Sequence, residues 1–244
     1  MNTATRRLPR SAAQIEQDAN ILTLAREELT RSGYDGVTMQ ALADRAGVVK
    51  KTLYNRYGSK DGLLLTAIAE VVDSYRGQAA AAEPGIPAVI AMRVGGNRQL
   101  VATPEYAQAM TRALMQADAE HPLVALLLGD ALVSQVRHLE IAAGQGELKP
   151  GVVPRALAEQ LTGHSWGLIL LWVKGLLPLS FFEQQSLAGM LTLLLAATKG
   201  PRHDALAAML AATQSQRCGD APRKTPGEAD AASPRPSLVG GQAS

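Results

Sequence analysis

The stretch from Val37 to Lys60, VTMQALADRAGVVKKTLYNRYGSK, limits what this chain can fold into more than any other. Thr38 is placed to cap a helix beginning at Met39, because its hydroxyl can accept from one of the first backbone N–H groups, which have no partner inside the helix. Val37 and Leu42 then occupy the two positions of a hydrophobic staple. Leu42, Ala43 and Ala46 give a narrow face that a second helix can cross closely, and Gly47 supplies the left-handed residue at which the first helix stops. Helical spacing resumes from about Val49 to Tyr57, with Leu53 and Tyr57 on the buried side and Val48 entering beneath them. Lys51, Thr52 and Asn55 point away from that side, Tyr54 lies on the flank, and Lys50 and Arg56 stand near the two ends. Two short helices joined by a glycine turn, the second with a cationic outer face that carries no acid, form the unit that enters a DNA major groove. The pattern alone also fits an ordinary helical hairpin with a solvated basic face.

Several further residues sharpen that reading. Ile21, Leu22, Ala25 and Leu29, then Gly33-Tyr34, Val37-Thr38, Leu42-Ala43, Gly47-Val48, Thr52-Leu53-Tyr54, Tyr57 and Ser59-Lys60, taken together, resemble the DNA-binding domain of the tetracycline-repressor (TetR) family of bacterial transcription factors. The matching run is Ile21 to Leu65; beyond it, only the all-helical plan and the Gly146-Glu147-Leu148 turn look like family members. Two positions depart from the family. Val49 stands where a Ser or Thr usually caps the second helix, which removes a bond worth roughly 1 kcal/mol. Lys50-Lys51 is more basic than usual.

The remaining pattern is helical throughout, so the fold class is all-α: a three-helix helix-turn-helix domain followed by a larger helical domain. Residues 1–12 read as a disordered basic arm, with Arg6, Arg7 and Arg10, that either floats or reaches a minor groove. Residues 13–82 read as the DNA-binding domain with its linking helix, starting with a helix over 13–32 whose stripe is Ile15, Leu22, Ala25 and Leu29. Ser59 caps the linking helix, which carries Asp61 in its first turn. Glu83-Pro84-Gly85-Ile86-Pro87 marks a boundary. Residues 83–214 read as a second domain with helices over 87–101, 104–119, 122–143, 154–177 and 183–198, and one more from His203 to Thr213. Residues 215–244, rich in Ala, Pro, Gly and Ser, read as a disordered tail.

Charge is distributed unevenly. The first 60 residues hold ten Lys and Arg against six Asp and Glu, while the rest of the chain is slightly acidic. Positive charge thus gathers where phosphates would be met. The single cysteine, Cys218, excludes a disulfide within the chain, and no apolar segment follows the basic N-terminus; a cytoplasmic protein is expected. The apolar runs Trp166–Phe182 and Leu187–Ala197 are too short and too interrupted for membrane helices, which need roughly 20 apolar residues. No membrane partner is expected.

An enzyme is not expected either. None of His121, His138, His164 and His203 has a second ligand at metal-binding spacing, no nucleophile motif is present, and Gly144-Gln145-Gly146 lacks the third glycine of a dinucleotide loop. Neither a metal nor a cofactor is called for. His164 and Trp166, with Met92, Met110 and Met115 on preceding helices, could line an effector pocket. They serve equally well as core filler. The helices carrying Leu170, Val173, Leu187, Met190, Leu191 and Leu194 hold more apolar surface than one small domain can bury, and a two-fold contact with a second copy would cover it; in the family this chain resembles, the last two long helices make the dimer.

The expectation is therefore a homodimeric, ligand-responsive regulator, a repressor of the kind the resemblance implies, that binds a palindromic double-stranded operator and is released by a small apolar effector. Lys51, Thr52 and Asn55 would meet base edges, joined by Gln40. Thr38, Tyr54 and Lys60 would hold phosphates, and Lys50 and Arg56 could do either. A nucleoid-type binder without an effector is the alternative.

Overall fold

The structure, a computed structural model, describes residues 11–219; the basic arm up to Arg10 and the tail beyond Gly219 lie outside the described residues. Helix α1 (Ala12–Gly36) starts in a capping box between Ser11 and Gln14. At Gly33 the backbone leaves the helix at φ 72°, the interruption read from the sequence, before a last turn is added. Ile21, Leu22, Ala25 and Leu29 face the core, but Ile15, expected in the same stripe, is 59% exposed, because it lies on the first turns, ahead of that buried run.

Thr38 caps α2 (Met39–Ala46) through a bond from the Ala41 N–H, and Gly47 ends it in the left-handed conformation at φ 63°. Val37 and Leu42 are both buried, as a staple requires. Helix α3 (Lys50–Tyr57) follows without a side-chain cap at Val49. A backbone turn, Thr52 N to Val49 O at 2.8 Å, starts it instead. Ser59 caps α4 (Lys60–Ala79) by accepting from the Gly62 N–H at 3.0 Å.

Downstream come α5 (Ile86–Ala102), α6 (Pro104–Gln116), the short α7 (Pro122–Val124), a π-helical turn (Ala125–Gly129), α8 (Asp130–Gly144), α9 (Pro154–Val173), α10 (Leu179–Ala197) and α11 (Gly200–Gly219). No strand occurs among the described residues; one isolated bridge, Leu148 to Thr198, fastens the Gly146-Glu147-Leu148 turn to the α10–α11 corner. Several ends differ from those expected: α6 stops at Gln116 rather than 119, α11 starts at Gly200 rather than 203, and the helix expected over 122–143 is divided into α7, the π turn and α8. α9 stops at Val173 rather than 177, because Gly175 turns left-handed at φ 75°. α10 starts at Leu179, a turn earlier than 183, directly after Pro178. α11 runs to Gly219 and takes in the first residues read as tail.

Two large cores result. One joins Ile21, Leu29, Leu42, Leu53, Leu64 and Ile68 of the first four helices to Met110, Ala113, Leu114 and Leu123, so α6 and α7 close the helix-turn-helix domain from outside its own segment. The Pro-Gly break at 83–87 thus divides the sequence but not this core. The other core packs Ile86, Leu139, Leu161, Met190, Leu194 and Leu206 across α5, α8, α9, α10 and α11.

Glu28 is the buried polar residue that orients α2 on α1. Its carboxylate takes bonds from Arg31 at 2.6 Å, Ser32 at 3.1 Å and, across the helix pair, Arg45 at 3.2 Å, while Arg45 also reaches Glu27. Burial by itself raises the Glu28 pKa, but the bonds from Arg31, Ser32 and Arg45 outweigh it and hold the carboxyl below its usual value. A depressed folded pKa gives stabilisation that is complete above the unfolded value and lost as pH falls through the folded one. Glu28→Gln is therefore expected to cost about 1–3 kcal/mol at neutral pH. Urea titrations should show the gap to wild type closing in acid, below the ordinary carboxylate range.

Candidate nucleic-acid interface

Leu53, fully buried, pins the inner side of α3 to the core, and that fixes which residues look outward. Lys50, Lys51, Tyr54 and Asn55 are exposed, and Thr52 is partly so. Lys50 Nζ stands 5.8 Å from the centre of the Tyr54 ring, a spacing at which the ammonium and the ring face attract. Among the described residues neither Lys50 nor Lys51 has an acidic partner within ion-pair distance. The outer face of α3 thus carries two uncompensated cations, an amide, a hydroxyl and a phenol.

Other predicted contacts have partners inside the protein. Arg56 pairs with Asp18 and bonds Gln17, both at 2.5 Å, and so clamps α3 to α1 instead of standing free for DNA. Lys60 donates to the Tyr34 carbonyl at 3.2 Å and lies over the Tyr34 ring, fastening the start of α4 to the end of α1. Gln40, exposed on α2, donates to Asp44 at 2.8 Å, a surface bond that a base edge could replace. Thr38 is exposed while its hydroxyl caps α2. Arg26, Arg31 and Arg45 are ion-paired as well. Among residues 11–60 every arginine is thus ion-paired, and the cations without an acidic partner among the described residues are Lys50, Lys51 and the tethered Lys60.

Helix α4 runs from this corner to a cavity of about 190 Å³, where Tyr75 and Arg76 form one wall. α5, α8 and α9 supply the others, with Met92, Arg93, Asn97, Gln135, Thr162 and Trp166 among the lining residues, and Leu127 enters from the π-helical turn. Arg76 also bonds the Leu126 carbonyl at 3.4 Å and lies 3.9 Å from Asp130, so the end of α4 is tied to the π turn and the start of α8. The expected pocket residues divide. Met92 and Trp166 line the cavity, whereas Met110 is buried in the first core and Met115 is 55% exposed on the surface. His164 lies instead in the α9–α10 seam, so close to Gly189 that a Cβ there would meet its ring at 2.2 Å. Desolvation, then the charge of Arg93, lowers its pKa and favours neutral imidazole. A single arginine in the apolar run AMRVGG was the available sequence signal for Arg93; nothing local marked Tyr75, Asn97 or Gln135.

The expected dimer residues need correction too. Met190, Leu191 and Leu194 are fully buried in the second core, and Leu187 and Val173 are partly buried beside their neighbours. Of that set, Leu170 remains on the surface. The outward stripe of α9 is Gly163, Gly167, Leu170 and Leu171, and Thr192 and Ala196 face outward from α10.

Comparisons agree with this architecture. Residues 21–67 match the family model described as bacterial regulatory proteins, tetR family. The chain is 36% identical over 113 residues to the HTH-type transcriptional repressor KstR of Mycolicibacterium smegmatis, covering 45% of this chain and 55% of that protein. It thus spans about half the length of the curated relatives it matches. A TetR-family transcriptional regulator from Rhodococcus sp. superposes with a TM-score of 0.62 at 17% identity, over 74% of this chain and 99% of that one. SmeT, the repressor of the Stenotrophomonas maltophilia multidrug efflux pump SmeDEF, does so with a TM-score of 0.62 at 19% identity, over 75% and 91%. At these identities the structural matches concern the fold. No helix among the described residues is long and apolar enough to cross a membrane.

Proposed function

We propose that this chain, whose residues 21–67 match the tetR family model, is a ligand-responsive repressor of that family that binds a palindromic DNA operator as a homodimer and leaves it when a small molecule fills the cavity at the end of α4. The observation that carries the reading is the outer face of α3, which holds Lys50, Lys51, Thr52, Tyr54 and Asn55 outward with no acid of the described residues against them. Lys51 and Asn55 have the donor chemistry for guanine and adenine edges in a major groove. Lys50 and Tyr54, stacked on one flank, suit phosphate, which sets register without reading sequence. Two such helices about 34 Å apart would address successive grooves of a palindrome.

The cavity and the interface share one helix, and this suits a regulator. Any ligand that moves Tyr75 or Arg76 bears directly on α4, whose other end is fixed to α3 and α1 through Ser59 and Lys60. A shift there would change the spacing of the two recognition helices and hence operator affinity.

Selection of bound duplexes from a random pool should return a palindrome. On that sequence, Asn55→Ala is expected to cost about 1–3 kcal/mol and to relax preference at one base pair of each half-site. Lys50→Ala should weaken every duplex alike and lower the salt slope by about one unit for each phosphate left without its ammonium. Equal binding of all duplexes by the wild type would instead indicate a nucleoid-type binder.

A further inference from the structure

Arg93 is a cation in the lining of the cavity with no counterion among the described residues. It projects from α5 toward α9 and donates one bond, from Nη2 to the Leu161 carbonyl at 3.0 Å. Its Nε is sealed from solvent with no acceptor, and no carboxylate of the described residues lies within ion-pair distance. Burial pulls its pKa down to about 10, with the nearby Tyr75 phenol opposing the shift, so the group stays charged near neutrality. An arginine held this way is costly, because a buried charge is ordinarily matched by an opposite one and a guanidinium has no neutral form to retreat to.

The rest of the lining shows what the missing partner would be attached to. Leu100, Leu127, Trp166 and Ile169 make the cavity apolar away from Arg93. In the same lining, the Asn97 oxygen takes the Ser186 hydroxyl and the Gln135 amide nitrogen bonds Thr162, while the Gln135 oxygen is buried without a partner; among the described residues no side-chain acceptor bonds the Arg93 guanidinium. The second cation on the wall, Arg76, already has Asp130 and the Leu126 carbonyl. A volume of about 190 Å³ lies below the usual range for drug-sized ligands, roughly 300–1,000 Å³.

We propose that the effector is a small carboxylic acid with an aromatic or short aliphatic body, its carboxylate on Arg93 and its body against Trp166, Leu127 and Ile169. A carboxylate fits the planar fork of a single guanidinium and brings one charge to cancel one charge. This refines the apolar effector expected from the sequence and rests on the repressor reading above only for its regulatory consequence; the binding site stands on the cavity and the unpaired arginine.

The test uses the full chain with benzoate, phenylacetate and octanoate, each beside its neutral amide, and with inorganic phosphate as a charge without an apolar body. Thermal denaturation and operator titration are read for wild type and for Arg93→Met, which keeps length and removes charge. Expected are a rise in Tm with at least one acid, at least tenfold weaker response to its amide and to phosphate, and loss of the acid response in Arg93→Met with the unliganded variant no less stable than wild type. Amides acting as well as acids, an undiminished acid response in Arg93→Met, or silence from every acid would overturn it; silence together with a less stable Arg93→Met would make Arg93 a strut to Leu161. Acid binding that depends on Arg93 yet leaves operator affinity unchanged would keep the site and remove the regulatory reading. Operator release by neutral compounds alone would do the reverse.

Discussion

Gly62→Ala is expected to weaken operator binding by about 10–100-fold and to lower folding stability by about 1–3 kcal/mol, although alanine favours helix over glycine. The reason is a corner between two helices. α3 ends at Gly58, which turns at φ 78°, and Ser59 folds back to cap α4, so that the Tyr57 carbonyl lies over the first turn of α4. A Cβ on Gly62 would sit 2.2 Å from that carbonyl oxygen. The obstacle is backbone, with no flexible side chain to swing aside, and the corner must open. Opening it moves the end of α3 while Leu53 still anchors its middle, and the outward residues change angle against the groove. Since 1.4 kcal/mol is a factor of ten in binding, a strain of this order accounts for the expected loss. Circular dichroism should show helix content retained while operator titration shows the affinity drop. Wild-type affinity in a folded Gly62→Ala protein would mean that the α3–α4 corner does not set the reading angle.

Gly62 also shows where sequence reasoning stops. Thr38, Gly47, Leu53 and Ser59 can be read because each acts on neighbours a few residues away, through a cap, a left-handed turn or a staple. Gly62 is close in sequence to Tyr57, but its importance lies in the fold-back between them, which no periodicity reports. Arg56 is a sharper case. As one of several cations on a short helix it reads as a DNA contact, and only the arrival of Asp18 and Gln17 from α1 commits it to the fold. Charge counting finds a basic segment but cannot separate cations spent on ion pairs from those left for phosphate.

The second domain is legible as helices and much less so as faces. An amphipathic helix declares its buried side, but α10 is apolar nearly all round, and nothing in LAGMLTLLLAA tells which leucines turn inward. Met190, Leu191 and Leu194, expected at a dimer contact, are instead the centre of a core built from five helices. The cavity follows the same rule. Met92 and Trp166 are found by residue type, whereas Tyr75, Asn97 and Gln135 come together from three helices far apart in the chain.

That correction moves the expected dimer contact to the surface that the second core leaves uncovered, and Gly167→Glu tests it. Gly163, Gly167, Leu170 and Leu171 recur at helical spacing on the exposed side of α9, the two leucines 38% and 42% exposed. A Cβ at Gly167 meets nothing within 4 Å in its own subunit. Within one chain the substitution should therefore be neutral or stabilising, since glycine inside a helix costs about 1 kcal/mol relative to good helix formers. Across a two-fold axis the outcome reverses: a close helix crossing loses its gap, and a carboxylate enters from each copy. Two half-sites held by one dimer bind far more tightly than either alone, so loss of the dimer is expected to cost about 10²–10⁴-fold in operator affinity. Sedimentation should show a monomer with an undiminished melting temperature for each chain, and a second variant, Gly129→Glu in the π turn, gives an added charge away from this face as a control. A Gly167→Glu protein that still sediments as a dimer would place the two-fold contact elsewhere on the molecule.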